Sequence, residues 1–306
     1  MVEPLVVVVM QASGARRAPV VRSRCGAAPT KLSFVEARRS ARSFIIAAER
    51  LPWRLLVTPP LGGPENMALD EALMARARRT GESVFRVYAW SPPTLSLGRN
   101  QRAVGIYREQ ALAERGIDVV RRPTGGRALL HHREITYSVT APCEDNGALL
   151  AEYGRINAML CNALESLGVP VVVAAPSRRA APPSASPCFA EPARGELTLR
   201  GRKLVGSAQW RERGAMLQHG SILIDDDQSS IAQLVRVPVD PTPAPATLRD
   251  ALGRAPVMAE VGDAMFRAVR ELADRDATPL AIDFDLARDT AEIAPRYHDD
   301  AWTWRR

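Results

Sequence analysis

Three strand-like runs, Glu196–Arg200, Leu204–Gln209 and Met216–Ile224, follow one another with almost nothing between them. The turn Gly201-Arg202 joins the first two. Such spacing leaves no room for a crossover helix, so this region must build sheet from hairpin neighbours. The rest of the chain mixes elements irregularly. Pro64–Thr80 is the clearest helix: Pro64 suits a first turn, Glu65 and the pair Asp70–Glu71 sit early, Arg76, Arg78 and Arg79 sit late, and Gly81 ends it. Met67, Leu73, Met74 and Ala77 form its buried stripe. Val84–Trp90, Thr94–Leu97, Ile117–Arg122, Ile135–Val139 and Val169–Val173 read as strands. Tyr107–Arg115, Leu149–Leu167 and Val257–Ala273 read as helices, and Thr124–His131 as a loop. No regular βαβ alternation appears, which predicts an α+β fold, a mixed β-sheet with flanking helices.

The 306 residues carry a net charge of +7, and its distribution matters more than its size. Residues 1–50 hold nine Lys or Arg against three Glu, or +6, so residues 51–306 sum to +1. A nearly neutral folded part argues against a nucleic-acid partner. Residues 1–50 lack a sustained period and are expected to be a basic, disordered extension; they extend the fold or reflect an upstream start codon. Order is expected from Trp53, giving one domain over 51–306. No apolar run approaches bilayer length, and Leu5–Met10 is too short and lacks a preceding basic residue for a signal peptide. Cys25, Cys143, Cys161 and Cys188 show neither CxxC nor metal-ligand spacing. No membrane or metal is predicted, and a cytoplasmic location is expected.

Cys188 follows a Pro/Ser/Ala-rich stretch, Ser177–Pro187, with no period, and Lys203 stands between glycines in Gly201-Arg-Lys-Leu-Val-Gly206. A thiol reacts as its thiolate, and an ammonium nearby lowers its pKa. The pair suggests covalent acyl transfer through a thioester; taken singly, Cys188 reads as an inert loop residue and Lys203 as a hairpin charge. The run Arg121-Arg122-Pro-Thr124-Gly125-Gly126-Arg127, closed by His131, is the second pattern. Glycines let backbone N–H groups approach a ligand, and the arginines suit a phosphate or carboxylate. A lone Gly-Gly is more often only a turn. His131 and His219 are candidate proton shuttles, though each alone reads as a structural histidine. Gly206, Ser207 and Ala208 are small residues that make room for a ligand or acyl chain.

Five ordered blocks carry a resemblance: Asn66-Met-Ala-Leu-Asp-Glu71, Arg121–Arg127 with His131, Gly201–Gln209, Leu217-Gln-His-Gly-Ser-Ile222 and Trp302-Thr-Trp-Arg-Arg306. Together, over residues 53–306, they resemble the lipoate branch of the biotin/lipoate protein ligase superfamily. The resemblance implies an α+β catalytic domain with an acyl-binding tunnel. Thr-Gly-Gly-Arg and Pro187-Cys-Phe189 are similar to the cysteine-dependent octanoyltransferases, whereas ATP-dependent ligases usually carry a third Gly at the position of Arg127. Ala193, Arg194 and Gly195 depart from the Ser and Tyr that often precede Glu196. The resemblance implies octanoyl transfer from octanoyl-acyl carrier protein, through Cys188 with Lys203 beside it, to a lysine of a lipoyl carrier domain such as glycine cleavage H protein or a 2-oxoacid dehydrogenase E2. It implies no cofactor. ATP and Mg enter only under the rival reading, lipoate ligation, and amide-to-amide transfer between carrier domains is a further rival. A non-catalytic polyanion-binding protein is the rival from another class.

Overall fold

The computed structural model describes residues 52–144, 149–174, 195–238 and 243–306. In chain order its elements are β1 (Trp53–Val57), α1 (Gly63–Thr80), β2 (Ser83–Tyr88), β3 (Thr94–Leu97), α2 (Glu109–Glu114), β4 (Asp118–Arg121), β5 (Leu129–His131) and β6 (Glu134–Pro142). There follow α3 (Leu149–Ser166), β7 (Val172–Val173), β8 (Leu197–Leu199), β9 (Arg202–Glu212), β10 (Ala215–Leu223), a 3-10 turn (Gln228–Gln233), α4 (Leu248–Leu252), α5 (Met258–Leu272), β11 (Thr278–Pro279), α6 (Phe284–His298) and α7 (Asp300–Thr303).

Eight strands form one mixed sheet in the order β11-β1-β2-β6-β10-β9-β8-β7. β1 runs parallel to both its neighbours, and every later pairing is antiparallel. The hairpins predicted from the 196–224 run are present, with the first turn one residue earlier than expected. Leu199 pairs with Arg202 and Glu212 with Ala215, so Arg200-Gly201 and Arg213-Gly214 are two-residue turns. All four turn residues have positive φ, between 51° and 78°, which matches the right-handed twist of the flanking strands. β3 lies between β4 and β5 in a separate three-stranded sheet.

Side-chain alternation sorts the large sheet into two unlike faces. Phe85, Val87, Ile135, Tyr137, Val139, Met216 and Ile222 pack with α3 and α5 residues such as Ile156, Leu160, Val261 and Met265 in an apolar core. The opposite face lies under α1, whose predicted stripe Met67, Leu73, Met74 and Ala77 is buried as expected. That face is polar. Arg86, Glu134, Thr136, Ser138, Thr140, His219 and Ser221 are all buried there. α1 ends as read, with Pro64 in its first turn and Gly81 at φ 73°.

Four expectations need correcting. β1 and α6 were not anticipated as elements; Pro295 inside α6 disguised it. His131 lies on β5 and not in a loop. Asp70 is fully buried against the sheet, so it does not serve the helix dipole as its early position suggested.

Candidate active site

The site is built outward from α1. Asn66 and Asp70 are one helical turn apart and face the polar side of the sheet. Arg86 of β2 donates to Asp70 Oδ1 at 2.8 Å, to Asn66 Oδ1 at 2.7 Å and to Thr58 Oγ1 at 2.9 Å. Ser138 donates to Asp70 Oδ1 at 2.8 Å and the Tyr88 hydroxyl to Oδ2 at 2.8 Å. Burial alone would raise the Asp70 pKa. Arg86 and the hydrogen bonds from His219 and Ser138 outweigh it and hold the carboxyl below the ordinary carboxylate range. The reverse holds for Tyr88, whose hydroxyl is pushed well above its usual value by burial and by Asp70.

From Asp70 a chain of polar contacts reaches the Gly-Gly loop. His219 Nδ1 lies 3.2 Å from Asp70 Oδ2, and its Nε2 lies 2.7 Å from Thr124 Oγ1. An ionised Asp70 only accepts, so Nδ1 carries a proton, and in the neutral imidazole Nε2 accepts the Thr124 hydroxyl. Arg122, expected as an anion partner, holds backbone. Its guanidinium donates to Gly125 O at 3.0 Å, Arg127 O at 2.7 Å and Ser96 O at 3.0 Å. Arg121 donates through Nε and Nη1 to the carbonyls of Gly98, Gln101 and Thr303, while its Nη2 is buried without a hydrogen-bond partner among the described residues. Burial and the charges of Arg305, Arg306 and Arg122 lower Arg121 to about 10. These arginines shape the loop from behind and leave Gly125 and Gly126 exposed. Among the described residues neither glycine N–H donates to an acceptor. Gly126 has φ 99°, and a Cβ on Gly98 would stand 2.0 Å from its carbonyl oxygen. Gly98→Ala is therefore expected to displace the loop and lower the melting temperature by several degrees. An unchanged melt would show that the two segments separate without cost.

A second chain of the same kind runs through His131. Its Nε2 lies 2.8 Å from Ser96 Oγ and its Nδ1 3.2 Å from Glu134 Oε1, and its ring stacks on Trp90 at 3.9 Å. Arg122 donates to the same Ser96 Oγ at 2.9 Å, which ties this chain to the loop. Burial lowers the His131 pKa despite Glu134. A histidine with a depressed folded pKa binds fewer protons than the unfolded chain, so its contribution is complete above about pH 6.5 and is lost as pH falls towards the folded value. Melting temperature is expected to fall between pH 7.5 and 5.5, and His131→Gln is expected to flatten that step. Glu134 and Ser96 escaped the sequence reading because each looks like the polar half of an ordinary strand.

The predicted small residues divide between the two faces of the sheet. Gly206 and Ala208 pair with Ser221 and His219 and share their face. Ser207 pairs with Gly220 on the other face, where its hydroxyl lies 2.7 Å from that of Tyr137. Gln218 also donates to the Tyr137 hydroxyl at 3.0 Å. Burial, with the charge of Glu196 adding to it, raises Tyr137 to about 12. Lys203 is buried, and its Nζ lies 2.7 Å from Glu196 Oε1. Cys188 lies outside the described residues. The residues that bracket its segment are described: Ala174 N donates to Glu196 O at 2.8 Å and Gly195 N to Ala174 O at 3.3 Å. The described residues on either side of 175–194 therefore lie beside Glu196, the partner of Lys203.

Comparison with known proteins places this architecture. The lipoyl protein ligase A/B catalytic-domain model matches residues 63–270. An octanoyltransferase LipM of Kyrpidia tusciae is 40% identical over 272 residues, covering 83% of this chain and 99% of its own length. The octanoyltransferase LipM of Symbiobacterium thermophilum is 36% identical, covering 83% and 98%. Among solved structures, a lipoate-protein ligase A bound with ATP superposes with a TM-score of 0.67 at 19% identity, over 83% of this chain and 99% of that one. A bipartite lipoate protein ligase of Thermoplasma acidophilum gives 0.66 at 20% identity, over 83% and 96%. These structural likenesses speak to the fold, and the matched family model with the curated relatives speaks to descent: the chain belongs to the lipoyl protein ligase A/B catalytic-domain family.

Proposed function

We propose that this protein is an octanoyltransferase of lipoate assembly that works through an acyl-enzyme on Cys188. The observation that carries the reading is the buried Lys203–Glu196 pair at 2.7 Å, set where the Cys188 segment joins the described fold. Relatives that are octanoyltransferases support it. A lysine is rarely buried without an anion. Its ammonium has three donors, so a pairing with Glu196 is compatible with a thiolate as a second anionic partner.

The proposed chemistry has two steps. The Cys188 thiolate attacks the carbonyl carbon of octanoyl-acyl carrier protein; a C–S bond to Cys188 forms, the donor C–S bond breaks, and the donor leaves as its thiol after taking a proton. A neutral lysine amine of a lipoyl-type carrier domain then attacks the acyl-enzyme. A C–N bond forms, the amine loses a proton, and Cys188 leaves as thiolate. Lys203 stabilises the thiolate in both steps. The N–H groups of Gly125 and Gly126 hold the acyl head or its oxyanion. Splitting the reaction lets one site serve two bulky partners in turn.

Intact mass after incubation with octanoyl-acyl carrier protein tests this reading. The expected result is a single octanoyl adduct formed without ATP and discharged by a lipoyl domain. An adduct that requires ATP and free acid would point to ligation. A donor restricted to an octanoylated carrier domain would point to amide transfer.

A further inference from the structure

The C-terminal arginines form a surface that nothing in the chemistry above uses. Arg305 Nη2 donates to Arg99 O at 2.7 Å, and Arg99 N donates to Thr124 O at 2.8 Å. Arg306 O accepts from the N–H groups of Ala103 and Val104, both at 2.8 Å, which sets Arg306 next to Arg102. The Arg99 guanidinium lies 5.3 Å from the centre of the Trp210 ring, on the strand face that carries Gly206 and Ala208. The Arg305 guanidinium covers Trp302 at 3.9 Å. Arg102, Arg305 and Arg306 are exposed and Arg99 is half-buried. So Arg99 borders the exposed Gly125–Gly126 loop through Thr124, Arg305 is tied to Arg99, and Arg102 and Arg306 sit together close by.

Charges held this close repel one another. Burial, then Arg99, Arg306 and Arg296, keep Arg305 below the ordinary guanidinium range. Among the described residues no carboxylate pairs with Arg99, Arg102, Arg305 or Arg306. Some exposed arginines elsewhere have one, such as Arg133 with Asp227 and Arg254 with Glu260, while others, such as Arg78, Arg155 and Arg267, have none among the described residues. What distinguishes Arg99, Arg305 and Arg306 is that they lie close enough for their charges to act on one another. An exposed group of mutually repelling arginines beside a loop whose N–H groups have no acceptor among the described residues is the arrangement expected of a docking site for an anionic surface.

We infer that Arg99, Arg102, Arg305 and Arg306 form the surface on which an acidic carrier protein docks while it presents its acyl thioester to the Gly125–Gly126 loop. The inference rests on the acyl-enzyme reading above and adds to it the face of the protein that receives the donor. A protein partner fits better than a nucleic acid, because residues 51–306 sum to only +1 and the patch is a small group of arginines, not an extended basic stripe. Cation–π contacts with the Trp210 and Trp302 rings restrain two of the guanidinium groups, which limits the entropy lost on docking.

The test uses the full chain carrying Arg99→Gln, Arg102→Gln, Arg305→Gln and Arg306→Gln together. Single-turnover acylation is followed by intact mass with two donors, octanoyl-acyl carrier protein and the uncharged thioester octanoyl-N-acetylcysteamine. With the carrier protein at low salt and below saturation, the variant is expected to be slower by about tenfold or more. The gap is expected to close at about 0.5 M salt, where charges are screened. With the small thioester the rates are expected to match. Equal rates with the carrier protein overturn the docking surface. Equal losses with both donors also overturn it, because the arginines then act on the site or the fold. A wild-type protein that is acylated by neither donor overturns the acyl-enzyme reading instead. Tight, salt-sensitive binding of an oligonucleotide, abolished by the four substitutions while carrier acylation is unaffected, would assign the patch to nucleic acid.

Discussion

Asp70→Ala is expected to cost about 3–5 kcal/mol, a large share of the stability of a domain this size. Asp70 is fully buried and accepts from Arg86, Ser138, Tyr88 and His219 at once. Removing it leaves the Arg86 guanidinium buried without its counter-charge and strips His219 of the group that sets its tautomer. Asp70→Asn keeps the shape but puts an NH2 group among donors, so it is expected to recover little. Chemical denaturation gives the measurement, and a loss under 1 kcal/mol would falsify the claim that this pair organises the face under α1. The pH dependence has a definite sign. The folded pKa of Asp70 is depressed, so its contribution is complete above the ordinary carboxylate pKa and is lost as pH falls through the lower, folded value. Wild-type stability is thus expected to decline over two pH ranges, the upper one from His131 and the lower one from Asp70 together with other depressed carboxylates such as Asp225, Asp227 and Asp289. Asp70→Asn is expected to shrink the lower decline and leave the upper one.

That network also shows where the sequence stopped being legible. α1 announces itself through Pro64, Gly81 and a periodic apolar stripe, and the 196–224 hairpins through their tight glycine turns; both are local signals. The polar face of the sheet has no local signal. β6 alternates Ile135, Tyr137, Val139 and Ala141 with Glu134, Thr136, Ser138 and Thr140, the pattern of a strand half open to water. Here the polar half is buried, because Asp70 and Asn66 come down on it from a helix far away in sequence. Arg86 and Glu134 acquire their meaning only through those distant partners. The same reasoning accounts for Arg121 and Arg122. Their spacing before Gly-Gly suggests anion binding, but whether a guanidinium meets a phosphate or a carbonyl depends on which backbone lies beside it. The carbonyls of Gly98 and Ser96 arrive from β3 and its following loop. The histidines were legible as candidates from their motifs, yet their carboxylate partners were not.

Cys188→Ala is expected to abolish both the octanoyl adduct and turnover, a loss of about a thousandfold or more for removal of a covalent nucleophile. Cys161 offers no ready substitute. Burial and the charge of Glu165 raise the Cys161 pKa, which disfavours its thiolate, and Cys161 sits on α3, packed against the apolar core. Cys161→Ala and Cys143→Ala are therefore expected to keep most activity. Lys203 can be separated from Cys188 by the pH dependence of alkylation. In Lys203→Ala the thiol loses its ammonium partner, so the pH at which iodoacetamide reacts with Cys188 is expected to rise by on the order of one unit or more. Lys203→Arg keeps the charge but replaces a compact ammonium with a planar fork, so partial recovery is expected. Because Lys203→Ala also leaves Glu196 buried without its partner, its melt must be measured in parallel. A folded Lys203→Ala protein with an unshifted alkylation profile removes Lys203 as the thiolate's partner. A Cys188→Ala protein that still transfers octanoate removes the acyl-enzyme altogether.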